Sequence, residues 1–239
     1  MEMIKNLTIP HTYVLVKMMR SNDEIFIGDF KAWLNTNFEQ EKHQSVFGEV
    51  VKVPENLFFL GSADQARYNP KCMPWECEME LQVGDKVVID YIEAQTAMGE
   101  GHNNKANPRF LVDYSRQDKE WYCFIPYQHC LVAVRDEEII PLNGNILAEP
   151  ELENGKYSER ICELKHVGKK VVRYAKTGEY AKSEETRKEL RKGMRVFLER
   201  YNNRWLEFSL HQNLGKYYVF KSCDIEAVLE KDSSFVVQV

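Results

Sequence analysis

Glu80-Leu81-Gln82-Val83-Gly84-Asp85-Lys86-Val87 is the stretch that decides the fold, because it returns as Glu189-Leu190-Arg191-Lys192-Gly193-Met194-Arg195-Val196. Each version follows a Pro-led apolar stretch and precedes a closing aromatic and branched stretch. These landmarks are Ile9-Pro10, Val14-Leu15-Val16, Tyr122-x-Phe124 and Leu131-x-Ala133-Val134, then Ile140-Pro141, Ile146-Leu147-Ala148, Tyr218-x-Phe220 and Ile225-x-Ala227-Val228. The same landmarks in the same order predict two copies of one small domain.

The repeat divides the 239 residues into two domains of ordinary small size. We predict copy one over residues 1–137 and copy two over residues 138–239. Between them, Arg135-Asp136-Glu137-Glu138 forms a short charged connection. A connection this short does not let two domains tumble freely.

Composition narrows the class of protein. A hydrophobic content of 44% is enough for a packed core, and the net charge of −5 argues against a general nucleic-acid binder. No apolar run approaches the roughly 20 residues that span a bilayer, and the first ten residues lack a signal-peptide pattern. We therefore expect a cytoplasmic protein without a membrane or nucleic-acid partner.

The local pattern predicts an all-β chain. Short runs of branched and aromatic residues are separated by Gly, Asn and Pro, which favours a sandwich or barrel. Strands do not alternate with helices, so a parallel α/β sheet is not expected. The predicted strands are residues 14–16, 48–53, 86–91, 145–148, 170–174 and 195–199.

The repeated octet predicts a structural turn. Gly84 permits a tight turn, and the carboxylate of Asp85 can accept hydrogen bonds from nearby backbone donors. Gly193 takes the place of Gly84 in copy two, whereas Met194 takes the place of Asp85. A turn tolerates that exchange and a general base present in both copies would not, so we interpret Asp85 as a turn residue.

The ordered motifs resemble the ten-kilodalton, GroES-like co-chaperonins. That family has a Pro-led first strand, a loop, a Gly-x-Val strand, a Gly-Asp-x-Val step and a closing Asp-Ile-x-Ala-Val strand. Matching residues are 10–17, 48–51 and 83–87 in copy one, and 141–148, 170–172, 192–193 and 224–229 in copy two. Copy one is most similar to divergent phage and bacterial relatives through residues 33–43 and 74–75, and the tandem plan resembles the double co-chaperonins of plastids.

The resemblance implies two tandem irregular β-barrels in a homo-oligomeric ring that caps a GroEL-type chaperonin and assists protein folding. The family's docking loop corresponds to residues 21–45, where Ile25-Phe26-Ile27 before Gly28 is the candidate anchor. Phe30, Trp33 and Leu34 are a candidate partner surface, and a strand or local core over a barrel end is the alternative interpretation. The corresponding residues 151–169 of copy two offer Ile161-Cys162 and Leu164.

Two other functions compete with this one. The same barrel could build a structural or assembly oligomer, phage-related, that binds no chaperonin. An enzyme is not expected, because the related alcohol dehydrogenases need a G-x-G-x-x-G nucleotide domain that this sequence lacks. No cofactor is expected, and the sets Cys123, His129, Cys130 and Cys72, Cys77, His102 lack the paired spacing of metal sites.

Overall fold

The computed structural model describes residues 7–9, 12–19, 24–27, 30–33, 47–58, 73, 75–90, 93–94, 97, 111–115, 120–153, 155–169, 173–174, 190–199, 204–207 and 216–229. The all-β prediction is confirmed, because nearly all regular structure in these residues belongs to antiparallel strands in two large and two small sheets. One helical turn occurs at Glu93, Ala94 and Ala97, where the Ala94 N–H bonds the Asp90 carbonyl at 2.9 Å.

Seventeen strands and two short 3-10 helices make up the described structure. In copy one they are β1 Tyr13–Met19, β2 Glu24–Ile27, β3 Phe30–Trp33, β4 Phe47–Lys52, β5 Trp75–Glu76, β6 Lys86–Ile89, β7 Leu111–Ser115, β8 Glu120–Pro126, a 3-10 helix at Tyr127–His129 and β9 Cys130–Arg135. The remaining elements are β10 Glu138–Pro141, β11 Ile146–Glu153, β12 Lys156–Val167, β13 Arg173–Tyr174, β14 Arg195–Leu198, β15 Arg204–Glu207, β16 Lys216–Phe220, a 3-10 helix at Ser222–Asp224 and β17 Ile225–Leu229.

The chain divides into two compact units. Unit 1 contains Met1–Phe58, Pro70–Met73 and Glu78–Glu138. Unit 2 contains Phe59–Asn69, Pro74–Cys77 and Ile139–Val239. The second unit therefore takes two short segments from the first half of the chain.

The two large sheets repeat one strand order. The first runs β10-β9-β6-β4-β1-β8-β7, and the second runs β15-β16-β11-β12-β14-β17. Read from the closing strand, β9-β6-β4-β1-β8-β7 corresponds strand for strand to β17-β14-β12-β11-β16-β15. Six strands in the same spatial and sequence order make the internal duplication a feature of the fold, not only of the sequence.

Register irregularities recur at matching places. In unit 1, Val16 pairs with Val50 beside a break in register between Leu15 and Val16. In unit 2, Ala148 pairs with Leu164 beside a break between Leu147 and Ala148. The pairs β6–β9 and β14–β17 each carry a break one residue before the last pair. Because bulges fix the register of a strand pair, their recurrence gives a residue-by-residue correspondence between the copies.

One part of the sequence prediction for copy two is wrong. Residues 151–169 are not a loop, because β11 continues to Glu153 and the twelve-residue β12 begins at Lys156. By register, Cys162 in β12 is the counterpart of Gly48, so residues 170–172 do not match the Gly-x-Val strand. The core of unit 2 buries Ile161, Cys162 and Leu164, which therefore cannot dock a partner. The sequence did not predict β12 as a strand because charged residues occupy its outward-facing positions.

A tight turn joins β9 to β10 where the sequence predicted a charged connection. Asp136 and Glu137 both have positive φ, at 48° and 68°. Positive φ at both central residues is the geometry of a two-residue turn between antiparallel strands. The connection is therefore a hairpin turn.

Candidate functional site

The candidate docking segment of copy one forms a β-hairpin, here called the copy-one hairpin (residues 24–33). Strand β2 contains Ile25, Phe26 and Ile27, and strand β3 begins at Phe30 and ends at Trp33. Ile25 pairs with Ala32 and Ile27 pairs with Phe30. The two strands form a sheet of their own within the described residues. Gly28 and Leu34 lie outside those residues.

Copy two also places a hairpin between the first two strands of its repeat, here called the copy-two hairpin (residues 149–160). It is continuous with β11 and β12 and not a separate sheet. Near its tip, Leu152 pairs with Tyr157, and these residues are 66% and 48% exposed. Sequence reasoning missed both residues, although Asn154-Gly155 between alternating residues is a strong hairpin signal. Gly155 has a φ of 77°.

Several contacts fix the base of the copy-two hairpin. Ser158 is buried; its hydroxyl accepts a hydrogen bond from the Ile161 N–H at 3.1 Å, and its carbonyl accepts one from the Tyr218 hydroxyl at 2.8 Å. The Arg160 guanidinium lies 3.9 Å from the centre of the Phe197 ring and donates to the Leu198 carbonyl at 2.9 Å. These contacts reach two neighbouring strands, so the tip is presented on an ordered base.

An ion pair adds to this support. Arg195 in β14 donates from Nη2 to Glu151 Oε2 at 2.8 Å. The hydrogen bond from Arg195 lowers the pKa of the Glu151 carboxyl, and its charge acts in the same direction while partial burial opposes both. A carboxyl whose pKa falls on folding stabilises the folded state when ionised.

We expect Glu151→Gln to lower the free energy of unfolding at pH 7 by less than about 1 kcal/mol, because solvent screens a pair that is partly exposed. The difference between the variant and the parent should shrink as the pH falls below 4.5, the ordinary pKa of glutamate, and through the lower folded value. Urea unfolding at pH 7 and at pH 3.5 measures it. An equal difference at both pH values would contradict the assignment.

The octet turn is built alike in both copies. Gly84 and Gly193 have φ values of 93° and 87°. The Gly84 N–H bonds the Val50 carbonyl at 2.8 Å, and the Gly193 N–H bonds the Leu164 carbonyl at 2.8 Å. Each glycine thus ties the turn to the neighbouring strand in a backbone conformation that other residues rarely adopt.

The octet turn of copy one contains a carboxylate, Asp85, where copy two has the thioether of Met194. Asp85 Oδ2 accepts from the Gln82 N–H at 2.7 Å, and Arg135 donates to both carboxylate oxygens at 2.8 and 2.7 Å. In copy two, the Met194 sulfur takes the position of that oxygen and accepts from the Arg191 N–H at 3.2 Å. Both oxygens of Asp85 are engaged in holding the turn.

A second group of ionisable side chains lies by the helical turn of unit 1. His129 Nε2 is 3.9 Å from Glu93 Oε2. Burial raises the pKa of the Glu93 carboxyl; the charge of His129 opposes this and that of Asp90 adds to it. In the described part of the chain, no three His, Cys, Asp or Glu side chains lie close enough to hold a metal ion.

The described cysteines are free thiols. Burial raises the pKa of Cys123 and Cys162 to about 12, and that of Cys130 still further. The Cys123 thiol donates to the Ala97 carbonyl at 3.8 Å. Protonated, buried thiols of this kind pack like small apolar groups and are weak nucleophiles. Cys72 and His102 lie outside the described residues.

No family model matches the chain, and no curated protein matches it. Among the described residues, no helix is both long and apolar enough to cross a membrane. The repeated sheet and its two hairpins therefore carry the functional argument.

Proposed function

We propose that this chain is a co-chaperonin-like protein, made of two tandem GroES-like irregular β-barrels, that forms a ring and contacts a GroEL-type chaperonin. The observation that carries the proposal is the repeated strand order, with a hairpin at the same connection of each repeat. A duplicated framework that places two hairpins alike suits a protein that meets a partner with repeated binding sites.

The copy-one hairpin is the main proposed contact. Its sequence puts Ile25, Phe26 and Ile27 on one strand and Phe30 with Trp33 on the other. A few well-packed side chains, with Trp and Tyr among the most frequent, carry most of the binding energy of protein interfaces. A hairpin with its own two-stranded sheet can engage a partner without disturbing the large sheet.

The copy-two hairpin is the proposed second contact. It replaces the apolar tripeptide of copy one with the exposed pair Leu152 and Tyr157. Because its base is fixed by Ser158 and Arg160, binding there would cost little ordering entropy. The two hairpins together would raise the effective concentration at the chaperonin.

The closing strands support the proposed homo-oligomer. Strand β9 has β10 on its outer side, whereas β17 ends its sheet among the described strands. Ala133 in β9 is fully buried, and its counterpart Val228 in β17 is 43% exposed. A strand that ends its sheet and carries an exposed branched residue is a template for pairing with another chain. We assign that edge to contact between copies.

The test mixes the purified protein with a GroEL-type chaperonin and ATP, and follows complexes by size exclusion and electron microscopy. The parent should cap the chaperonin. Changing Ile25, Phe26 and Ile27 to serine should abolish the complex in a protein that keeps its circular dichroism spectrum and melting temperature. Leu152→Ser with Tyr157→Ser is the matched change in copy two, and should weaken the complex about tenfold without abolishing it.

The outcomes separate the two functions. A complex that survives both sets of serine changes would reject the hairpins as the docking elements. No complex with the parent, together with a closed oligomer of the protein alone, would reject the co-chaperonin function and favour the structural or assembly role.

A further inference from the structure

A short segment of the first half of the chain is built into unit 2. The residues before it, Pro70–Met73, and those after it, from Glu78, belong to unit 1, whereas Pro74–Cys77 belongs to unit 2. Within unit 2, Trp75 pairs with Tyr174 and Glu76 pairs with Arg173 as the small sheet β5–β13. We call residues 74–77 the strap.

Trp75 makes two specific side-chain contacts within unit 2. Its indole Nε1 donates to Asn143 Oδ1 at 3.2 Å. The ammonium group of Lys221 lies 4.4 Å from the centre of the Trp75 ring, within cation–π range. Cys77 Sγ also donates to Asn143 Oδ1, at 3.7 Å. Two residues of the strap thus meet at one oxygen.

The residue that carries this oxygen, Asn143, is a buried polar residue with an unusual backbone conformation. Asn143 is fully buried and has a φ of 55°, in the turn that leads into β11. Its carbonyl accepts from Lys221 Nζ at 2.8 Å, so Lys221 touches both the turn and the Trp75 ring. A buried amide that loses its donors is costly, because no water replaces them. The strap therefore supports the turn that leads into β11.

We propose that the strap makes the folded state of unit 2 depend on copy one, with Trp75 as its anchor. Loss of the anchor would release the turn at Asn143, and with it the start of β11, an interior strand that pairs with β12 and β16. The proposal is independent of chaperonin binding. It implies that unit 2 opens more readily whenever the strap leaves its place.

Hydrogen exchange of the full chain tests this proposal. In Trp75→Ala, amides of unit 2 in β11, β12 and β16 should exchange about tenfold faster or more, while those of β1 and β6 in unit 1 keep their parental rates. Trp75→Phe keeps a ring near Lys221 but removes the indole donor, and should give a smaller increase. Val83→Ala, at a residue of unit 1 that is 65% exposed, is the control and should leave unit 2 unchanged.

Three results would overturn the proposal. Unchanged exchange rates in unit 2 of Trp75→Ala would show that Trp75 does not anchor a strap that stabilises unit 2. Faster exchange restricted to the turn at residues 142–145 would reduce it to a local contact. An equal increase in both units would indicate general destabilisation. If Trp75→Ala does not fold, Trp75→Phe and Lys221→Met provide the same comparison.

Discussion

Asp85→Ala is expected to lower the free energy of unfolding by about 3 kcal/mol. Asp85 is only 3% exposed, and its carboxylate holds the Gln82 N–H and both donors of Arg135. Removing it leaves a backbone donor and a charged guanidinium without their shared acceptor. The turn also loses one of two hydrogen bonds between residues 82 and 85, and keeps the one from the Asp85 N–H to the Gln82 carbonyl at 3.2 Å, so Gly84 keeps its conformation with less support.

Copy two provides the control for this prediction. Asp85→Met installs the residue that stands at the same position of copy two and should restore part of the loss, since a thioether can accept the turn N–H. Met194→Ala should cost only about 1 kcal/mol, because it removes one turn acceptor and the packing of a partly buried side chain against the core, and no arginine depends on it among its described contacts. Urea unfolding of the three variants measures the order. Equal losses for Asp85→Ala and Met194→Ala would contradict the role of the Arg135 pair.

Much of the repeated framework could be predicted from sequence because its residues are constrained locally. Gly84 and Gly193 need positive φ, and the branched strand that follows each glycine pairs with the closing strand of its repeat. These features lie within eight consecutive residues, and they are present in both copies although the surrounding residues differ. They locate β6 and β14, the strands next to the closing strand in each large sheet.

The candidate sites depended on longer-range relations and were harder to predict. The pairing of Leu152 with Tyr157 has a local signal in Asn154-Gly155, but the charged residues around Ile161 obscured the alternating pattern of β12. The partner of Trp75 lies 68 residues away, at Asn143. The contact between Trp75 and Asn143 has no local pattern, so only the folded chain brings those two side chains together.

The difference between Gly48 of copy one and Cys162 of copy two has a steric reason. Gly48 and Cys162 occupy matching positions, as do Val16 and Ala148. A Cβ at Gly48 would lie 2.4 Å from Val16 Cγ1 and 2.6 Å from the Lys17 carbonyl oxygen. In copy one, the larger Val16 thus lies diagonally across from a glycine. In copy two, the smaller Ala148 lies diagonally across from Cys162 in the same core cluster.

We therefore expect Gly48→Cys to destabilise unit 1 by about 3 kcal/mol, because overpacking a close-packed strand pair forces the backbone to move. Adding Val16→Ala recreates the pair of copy two and should recover about half of the loss. Recovery is incomplete because the Lys17 carbonyl still crowds the new Cβ. The reverse change, Ala148→Val beside Cys162, should cost about 2 kcal/mol in unit 2. Urea unfolding with the double-mutant cycle of Gly48 and Val16 measures the coupling between them, and additive losses would show that the two positions do not share space.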